Sequence, residues 1–273
     1  MEQKNVKNED INQLRKYKIV KSNDIIQKSR FSLQLQEQKI ILYLISKIKP
    51  EDMELQERIF QIKDFCIVCG LNYDSGKNYA NIRQTLKDIR DKSIWVTLEN
   101  GNERTHSWFD YVEMDKNNGF VKIKISDMMK PYLLQLKERY TQCELLYTLA
   151  MRSQYSIRIY ELLKSYEYQH RKVFDIDELK KILLAEKYTL FGDFKRKVLD
   201  ISMREINELS DLIVKYEIIK EGHRFAKIEF MINTKNDLGE KMKLWVEIDE
   251  NISRKTATDK KTKTTAKGGK NGE

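Results

Sequence analysis

One arrangement occurs twice in this chain and limits its fold more than any other feature: an amphipathic helix that runs through a serine straight into an alternating strand. Ile89-Arg90-Asp91-Lys92-Ser93-Ile94-Trp95-Val96 does this in the first half, and Ile206-Asn207-Glu208-Leu209-Ser210-Asp211-Leu212-Ile213-Val214 does it in the second. Within a few positions the apolar spacing changes from three or four to two, which marks the passage from a helix buried along one stripe to a strand buried on one face. A tight-turn dipeptide follows each strand, Asn100-Gly101 and then Glu221-Gly222, so each strand is expected to return as a hairpin. At 273 residues, with 40% hydrophobic content, the chain has room for two compact units, each with its own core.

The elements upstream of each hairpin complete the pattern. Leu33, Ile40, Ile41, Leu44, Ile45 and Ile48 recur at helical spacing and predict a helix over 33–48. A short strand over 58–62, a short helix over 63–69 closed by Gly70, and a longer helix over 75–92 carrying Tyr79, Ile82, Leu86 and Ile89 come next. The alternation Ile94, Val96, Leu98 and, after the Asn118-Gly119 turn, Val121, Ile123, Ile125 predicts a two- or three-stranded antiparallel sheet. Helix, strand, helix, helix, hairpin is the order of a winged helix, a helix-turn-helix whose hairpin closes one side of the core.

The second half repeats the plan with a long helix over 143–170, a short helix over 175–186, a longer helix over 191–210, and strands through Leu212, Val214, Tyr216, Ile218 and Ile228, Phe230, Ile232. Pro50 and Pro131 punctuate these elements without interrupting one. The expected fold is α+β, two tandem winged-helix domains from an internal duplication, at 18–135 and 136–250. A flexible segment 1–17 precedes them, and a disordered basic tail 251–273 of Lys, Thr and Gly, with no large apolar side chain beyond Ile252, follows.

An excess of 51 Lys and Arg over 42 Asp and Glu, net +9, favours an acidic partner such as nucleic acid or an anionic membrane. The longest apolar run, 40–45, is far short of the roughly 20 residues of a membrane span, and the first residues lack a signal-peptide core. A cytoplasmic protein without membrane attachment is expected. Cys66 and Cys69 lie in an apolar stretch that reads as the buried side of a helix, Cys143 stands alone, and His106, His170 and His223 are scattered, so neither metal nor cofactor is expected.

On a helical wheel over 191–210, Phe194, Val198, Leu199, Ile201, Ile206 and Leu209 share one sector, the core face. The opposite side carries Arg196, Lys197, Asp200, Arg204 and Asn207, side chains that suit guanine edges, adenine edges and phosphates, and Lys195 beside them is a further candidate of the recognition helix. An ordinary solvated face with an Asp200–Arg204 pair is the bland alternative, but the helix holds the recognition position, and Lys220, His223 and Arg224 surround the tip of the hairpin behind it, where they would grip phosphate. The first-half counterpart presents Lys77, Asn81, Gln84, Lys87 and Asp88, a less basic surface suited to phosphate positioning or to protein contact.

Enzyme signatures fail on spacing. Gly70 and Gly76-Lys77 are too far apart for a phosphate loop, and Asn78 stands where Ser or Thr would hold magnesium. The scattered histidines leave no local metal site for a nicking tyrosine. The chain reads as a binder. The helix face alone leaves a replication initiator and a transcriptional repressor equally open; a nicking or primase-type enzyme and a dimeric interaction module are the alternatives of other classes.

Val20-Lys21-Ser22-Asn23-Asp24-Ile25-Ile26, Ser32-Leu33 and Glu37-Gln38-Lys39-Ile40-Ile41 resemble the opening of the theta-type plasmid replication initiators. Phe194-Lys195-Arg196-Lys197-Val198-Leu199, Glu205-Ile206-Asn207 and Ile228-Glu229-Phe230 resemble the second winged helix of that family. The resemblance implies a protein that binds directly repeated origin DNA, the iterons, with both winged helices and opens the origin. It implies recruitment of the host initiator and replicative helicase, and a dimer that represses its own gene. Arg196 and Lys197 match the basic pair of the recognition helix and Asn207 its Glu-Ile-Asn motif, while Met203 and Arg204 fall in a variable part.

Overall fold

The computed structural model describes residues 18–62, 65, 76–115, 119–235 and 243, with backbone alone at 76–79. The expectations for 1–17, for the short helix with Cys66 and Cys69, for Asn118, for the Lys77 side chain and for the tail 251–273 fall outside the described residues.

Strand β1 (Lys18–Ser22) leads into α1 (Asn23–Gln27), whose start is capped by the Ser22 hydroxyl accepting from the Ile25 N–H, and then into β2 (Ser29–Arg30). In α2 (Leu35–Ile45) the expected stripe of Ile40, Ile41, Leu44 and Ile45 is buried. Glu37 accepts from the Gln34 N–H at 2.6 Å, which satisfies a donor at the helix start. Strand β3 (Arg58–Gln61) and helix α3 (Gly76–Asp91), with Ile82, Leu86 and Ile89 buried, precede β4 (Ser93–Thr97), where Ile94 and Val96 face the core and Trp95 faces out.

The single sheet expected here is two. Strand β4 pairs with β5 (Glu103–Ser107) and β2, while β6 (Phe109–Asp115) and β7 (Phe120–Ile125) pair with each other and with β3. The chain bends at buried Trp108, whose carbonyl accepts from the Ser126 N–H at 3.0 Å and whose ring meets Phe31 edge-on at 5.1 Å. That bend takes β6 out of the first ladder. Gly101 closes the β4–β5 turn at φ +81°, a conformation that glycine adopts without steric cost.

After the short helix α4 (Lys130–Leu133), the expected helix over 143–170 also divides. Cys143 belongs to β8 (Tyr140–Glu144), paired antiparallel with β1 across the expected 135/136 boundary, with Cys143 opposite Ile19. Helix α5 (Leu145–Ala150) ends at extended Met151, and α6 (Gln154–Lys164) restarts from a Ser153 cap. The break has a partner distant in sequence: the N–H groups of Arg152 and Ser153 donate to the buried carboxylate of Glu205 at 3.1 and 3.2 Å. Beyond Lys164 the chain turns at His170, φ 58°.

Strand β9 (Arg171–Asp175) supplies Asp175 as the cap of α7 (Ile176–Leu183), accepting from two backbone N–H groups at 2.8 and 3.2 Å. The segment expected as one helix over 191–210 has three parts: α8 (Phe191–Phe194), a π-helical turn (Lys195–Leu199) and α9 (Asp200–Leu209). Strands β10 (Leu212–Glu221) and β11 (Arg224–Thr234) form the hairpin, with β9 on the outer side of β11.

One buried cluster runs through both halves, taking Ile40, Leu86 and Ile94 from the first and Ile157, Tyr160, Val198 and Phe230 from the second. Helix α6 is its hub. Glu161 forms a buried ion pair with Lys21, and Arg158 donates to the carbonyls of Ile26 and Ser29 at 3.2 and 3.0 Å while lying 4.5 Å from the centre of the Phe31 ring. These charges give the packed halves a defined register, because a charge buried away from its partner is strongly unfavourable.

Candidate nucleic-acid interface

The core side of the recognition segment follows the expected pattern. Phe194, Val198, Leu199 and Ile206 are fully buried, Met203 joins them, and Ile201 and Leu209 are half-buried. The departure is the π turn, in which the Asp200 N–H reaches back five residues to the Lys195 carbonyl. The wider turn changes the phase of the helix, so a uniform wheel does not describe the polar face; such turns recur at functional sites.

Arg196, 73% exposed, donates to Asp193 Oδ1 at 2.8 Å, and the Lys197 ammonium lies 3.6 Å from the same oxygen. The Arg196 hydrogen bond and the Lys197 charge hold the Asp193 carboxyl below the usual carboxylate range. Lys195 is chelated by both Asp200 oxygens at 2.8 Å, and the Tyr216 hydroxyl on β10 donates to Asp200 Oδ1 at 2.7 Å. Partial burial alone would raise the Asp200 pKa, but the bonds from Lys195 and Tyr216 outweigh it and the net shift is downward. Asp200 therefore ties the π turn to the hairpin. Arg204 is exposed on the same helix.

Asn207 faces elsewhere. Its amide donates to the Val214 carbonyl at 2.9 Å and accepts from the Val214 N–H at 2.7 Å, a two-point clasp between helix end and strand. With both polar ends of the amide engaged, Asn207 serves the helix–strand junction. The Glu205-Ile206-Asn207 motif thus has a structural meaning throughout: Glu205 anchors the break ahead of α6, Ile206 fills the core and Asn207 clasps β10.

The hairpin tip turns at Gly222, φ 63°, with Glu221 opposite Arg224 and His223 exposed. Lys220 lies 4.8 Å over the Phe225 ring, and Phe225 stacks on Phe191 at 4.4 Å and 24°, so the wing leans on the start of the recognition segment. Arg224 pairs with Asp177 at the start of α7. The wing, α7 and α8 thereby form one connected surface.

The first-domain candidates have a different setting. Asn81, Gln84 and Lys87 are exposed on α3, but Gln84 donates to Asp88 at 2.6 Å and Lys87 pairs with Asp91, whose hydrogen bond raises the Lys87 pKa. The β4–β5 tip carries Glu99, 3.9 Å from Arg139, and Glu103, paired with Arg30. Among the described residues no group of His, Cys, Asp and Glu is arranged to hold a metal ion, and no helix is long and apolar enough to cross a membrane.

Sequence reasoning missed Asp193, Glu205, Tyr216, Phe191 and Phe225 as parts of this site. The i,i+3 and i,i+4 spacing of Asp193 to Arg196 and Lys197 was a readable signal. The other contacts join distant segments and leave no local mark.

Comparison with known proteins finds two winged-helix families in succession along the chain. The family described as initiator replication protein, WH1, matches residues 18–164, through the end of α6, and that described as initiator Rep protein, WH2, matches residues 175–232. The PI protein of Escherichia coli is 27% identical over 140 residues, 44% of this chain and 46% of that protein, so the matched region spans about half the length of this curated relative. The crystal structure of Pi initiator protein in complex with iteron DNA has the same fold, with TM-score 0.66 and 19% identity, covering 82% of this chain and 99% of that chain. With both of its winged-helix domains matched, the chain belongs to the initiator Rep protein family.

Proposed function

We propose that this chain initiates plasmid replication by binding the repeated DNA of its origin, with the second winged helix reading bases and the first positioning the protein on the duplex. The observation that carries this reading is the cluster Lys195, Arg196 and Lys197, displayed on a π turn and braced against a basic wing. Arg196 and Arg204 supply guanidinium groups suited to guanine edges, and Lys195 and Lys197 supply phosphate contacts. Lys220, His223 and Arg224 on the wing add contacts to the backbone. Lys77, Asn81, Gln84 and Lys87 are assigned to the first domain's weaker contacts.

Family membership and the iteron-bound state of the Pi structure favour an initiator over a plain repressor. Opening of the origin, recruitment of the host initiator and replicative helicase, and a self-repressing dimer belong to the same proposal. So do a non-catalytic role and a cytoplasmic site of action.

The test is protection of the plasmid's own origin repeats from nuclease, against a shuffled duplex of equal length at physiological salt. Protection in phase with the repeats is expected. Equal binding to both duplexes would leave a basic protein without sequence preference and would refute the proposal.

A further inference from the structure

We propose that Asp193 is a specificity-determining positioning residue, an acid on the DNA-facing surface that aims Arg196 at base edges, holds Lys197 back and penalises binding to phosphate alone. The inference rests on the reading that this surface meets DNA, and it adds a role for an acidic side chain where the bulk charge argument sees only basic ones.

Asp193 lies in the first turn of the recognition segment, and a single oxygen, Oδ1, serves both cations: Arg196 Nη2 at 2.8 Å and Lys197 Nζ at 3.6 Å. Both partners stay accessible, with side chains 73% and 49% exposed, and the carboxylate itself is 35% exposed. A guanidinium held at Nη2 has fewer orientations open to its remaining N–H groups, which favours two-point contact with a guanine. An unanchored arginine or lysine reaches for the nearest phosphate.

On the correct repeat Arg196 meets its base while still paired with Asp193. On other DNA the cations must leave Asp193 to reach phosphate, and the unpaired carboxylate then faces the backbone. Asp193 therefore lowers non-cognate affinity more than cognate affinity, which is how a repulsive element creates specificity.

Asp193 is a cleaner probe of this effect than Asp200, whose carboxylate also bonds Tyr216 on the wing strand. Both partners of Asp193 lie within four residues on its own helix, so an isosteric amide changes charge and aim without disturbing the wing. A purely structural role, an acid favourably placed at a helix start, would change thermal stability and leave the preference among DNA sequences unaltered.

The experiment compares the full chain with Asp193→Asn and Arg196→Ala on a duplex bearing one origin repeat and on a shuffled duplex, across a series of salt concentrations. Asp193→Asn is expected to bind shuffled DNA several-fold tighter, to steepen its logarithmic salt dependence by about one, and to lower the cognate-to-shuffled ratio several-fold. Asp193→Ser carries the same readout if the amide variant does not fold. An unchanged ratio and slope, with Arg196→Ala still losing cognate binding selectively, would overturn the role of Asp193 and leave the base-reading helix standing. Equal loss on both duplexes for Arg196→Ala would instead bring down that underlying reading, and the role of Asp193 with it.

Discussion

The two winged helices of this chain place a helix and a hairpin in the same order, yet the tips of their hairpins carry different sets of charged side chains. Around the β4–β5 tip stand Glu99 and Glu103, held by Arg139 and Arg30, beside exposed Arg104; around the β10–β11 tip stand Lys220, His223 and Arg224 beside Glu221, with Lys220 over Phe225 and Phe225 stacked on Phe191. The helices diverge in parallel. On α3 Gln84 bonds Asp88 and Lys87 pairs with Asp91, whereas Asp193 at the end of α8 is shared by two cations of the π turn and Arg204 adds a third on the next helix. A common scaffold thus presents two carboxylates at one hairpin tip and more basic side chains at the other, and the difference lies in a few surface side chains.

The comparison breaks most severely where the halves share a part. Glu161→Ala leaves Lys21 buried without its partner and is expected to cost about 3 to 5 kcal/mol, with both domains losing stability together in denaturant unfolding. Separate transitions, with one domain alone weakened, would show that α6 does not couple them.

Asn207→Ala removes the clasp on Val214 and leaves a backbone N–H and carbonyl short of partners, at a cost of about 1 to 3 kcal/mol in stability. The preference for cognate over shuffled DNA should survive in the folded fraction. A selective loss of cognate binding at unchanged stability would return Asn207 to the base-reading set.

Arg196→Ala and Lys87→Ala compare the two helices directly. The former should cost about 1 to 3 kcal/mol on cognate DNA and less on random DNA. The latter should cost below about 1 kcal/mol and equally on both, as a phosphate or surface contact does. Equal, sequence-selective losses for both would make the two domains equivalent readers.

The smallest expected effect is at the first wing. Glu99→Lys should tighten binding to any DNA slightly and steepen the logarithmic salt slope by about one if that tip approaches the backbone. An unchanged slope would place the first wing away from the duplex.

Much of this architecture was legible because it is local. The stripes through Ile40, Ile41, Leu44 and Ile45, through Ile82, Leu86 and Ile89, and the alternation after Ser93 and Ser210 all report the burial of nearby residues. What escaped is what the chain settles over long distances. The periodicity through 143–170 continues across a break because the acceptor for the Arg152 and Ser153 N–H groups is Glu205, on another helix. The bend at Trp108, which divides the first-domain strands between two sheets, is completed by Ser126 and Phe31. The π turn eluded a uniform wheel because nothing in Lys195 to Leu199 encodes its extra residue; it fits a core defined by Phe194 on one side and Met203 and Ile206 on the other.

The same reasoning explains the mixed fate of the candidate site. Arg196, Lys197 and Arg204 stand exposed despite the shift of phase at the π turn, whereas Asn207 turns to a strand that the wheel does not contain.

The measurement that bears most directly on the second winged helix as base reader is a missing-contact experiment. Each base pair of one origin repeat is substituted in turn, and affinity is measured for the wild-type chain and for Arg196→Ala. The account predicts that the variant becomes indifferent to one position, at which the wild type discriminates, and matches the wild type elsewhere. A variant weakened uniformly, with discrimination intact at every position, would contradict it and make Arg196 a phosphate contact.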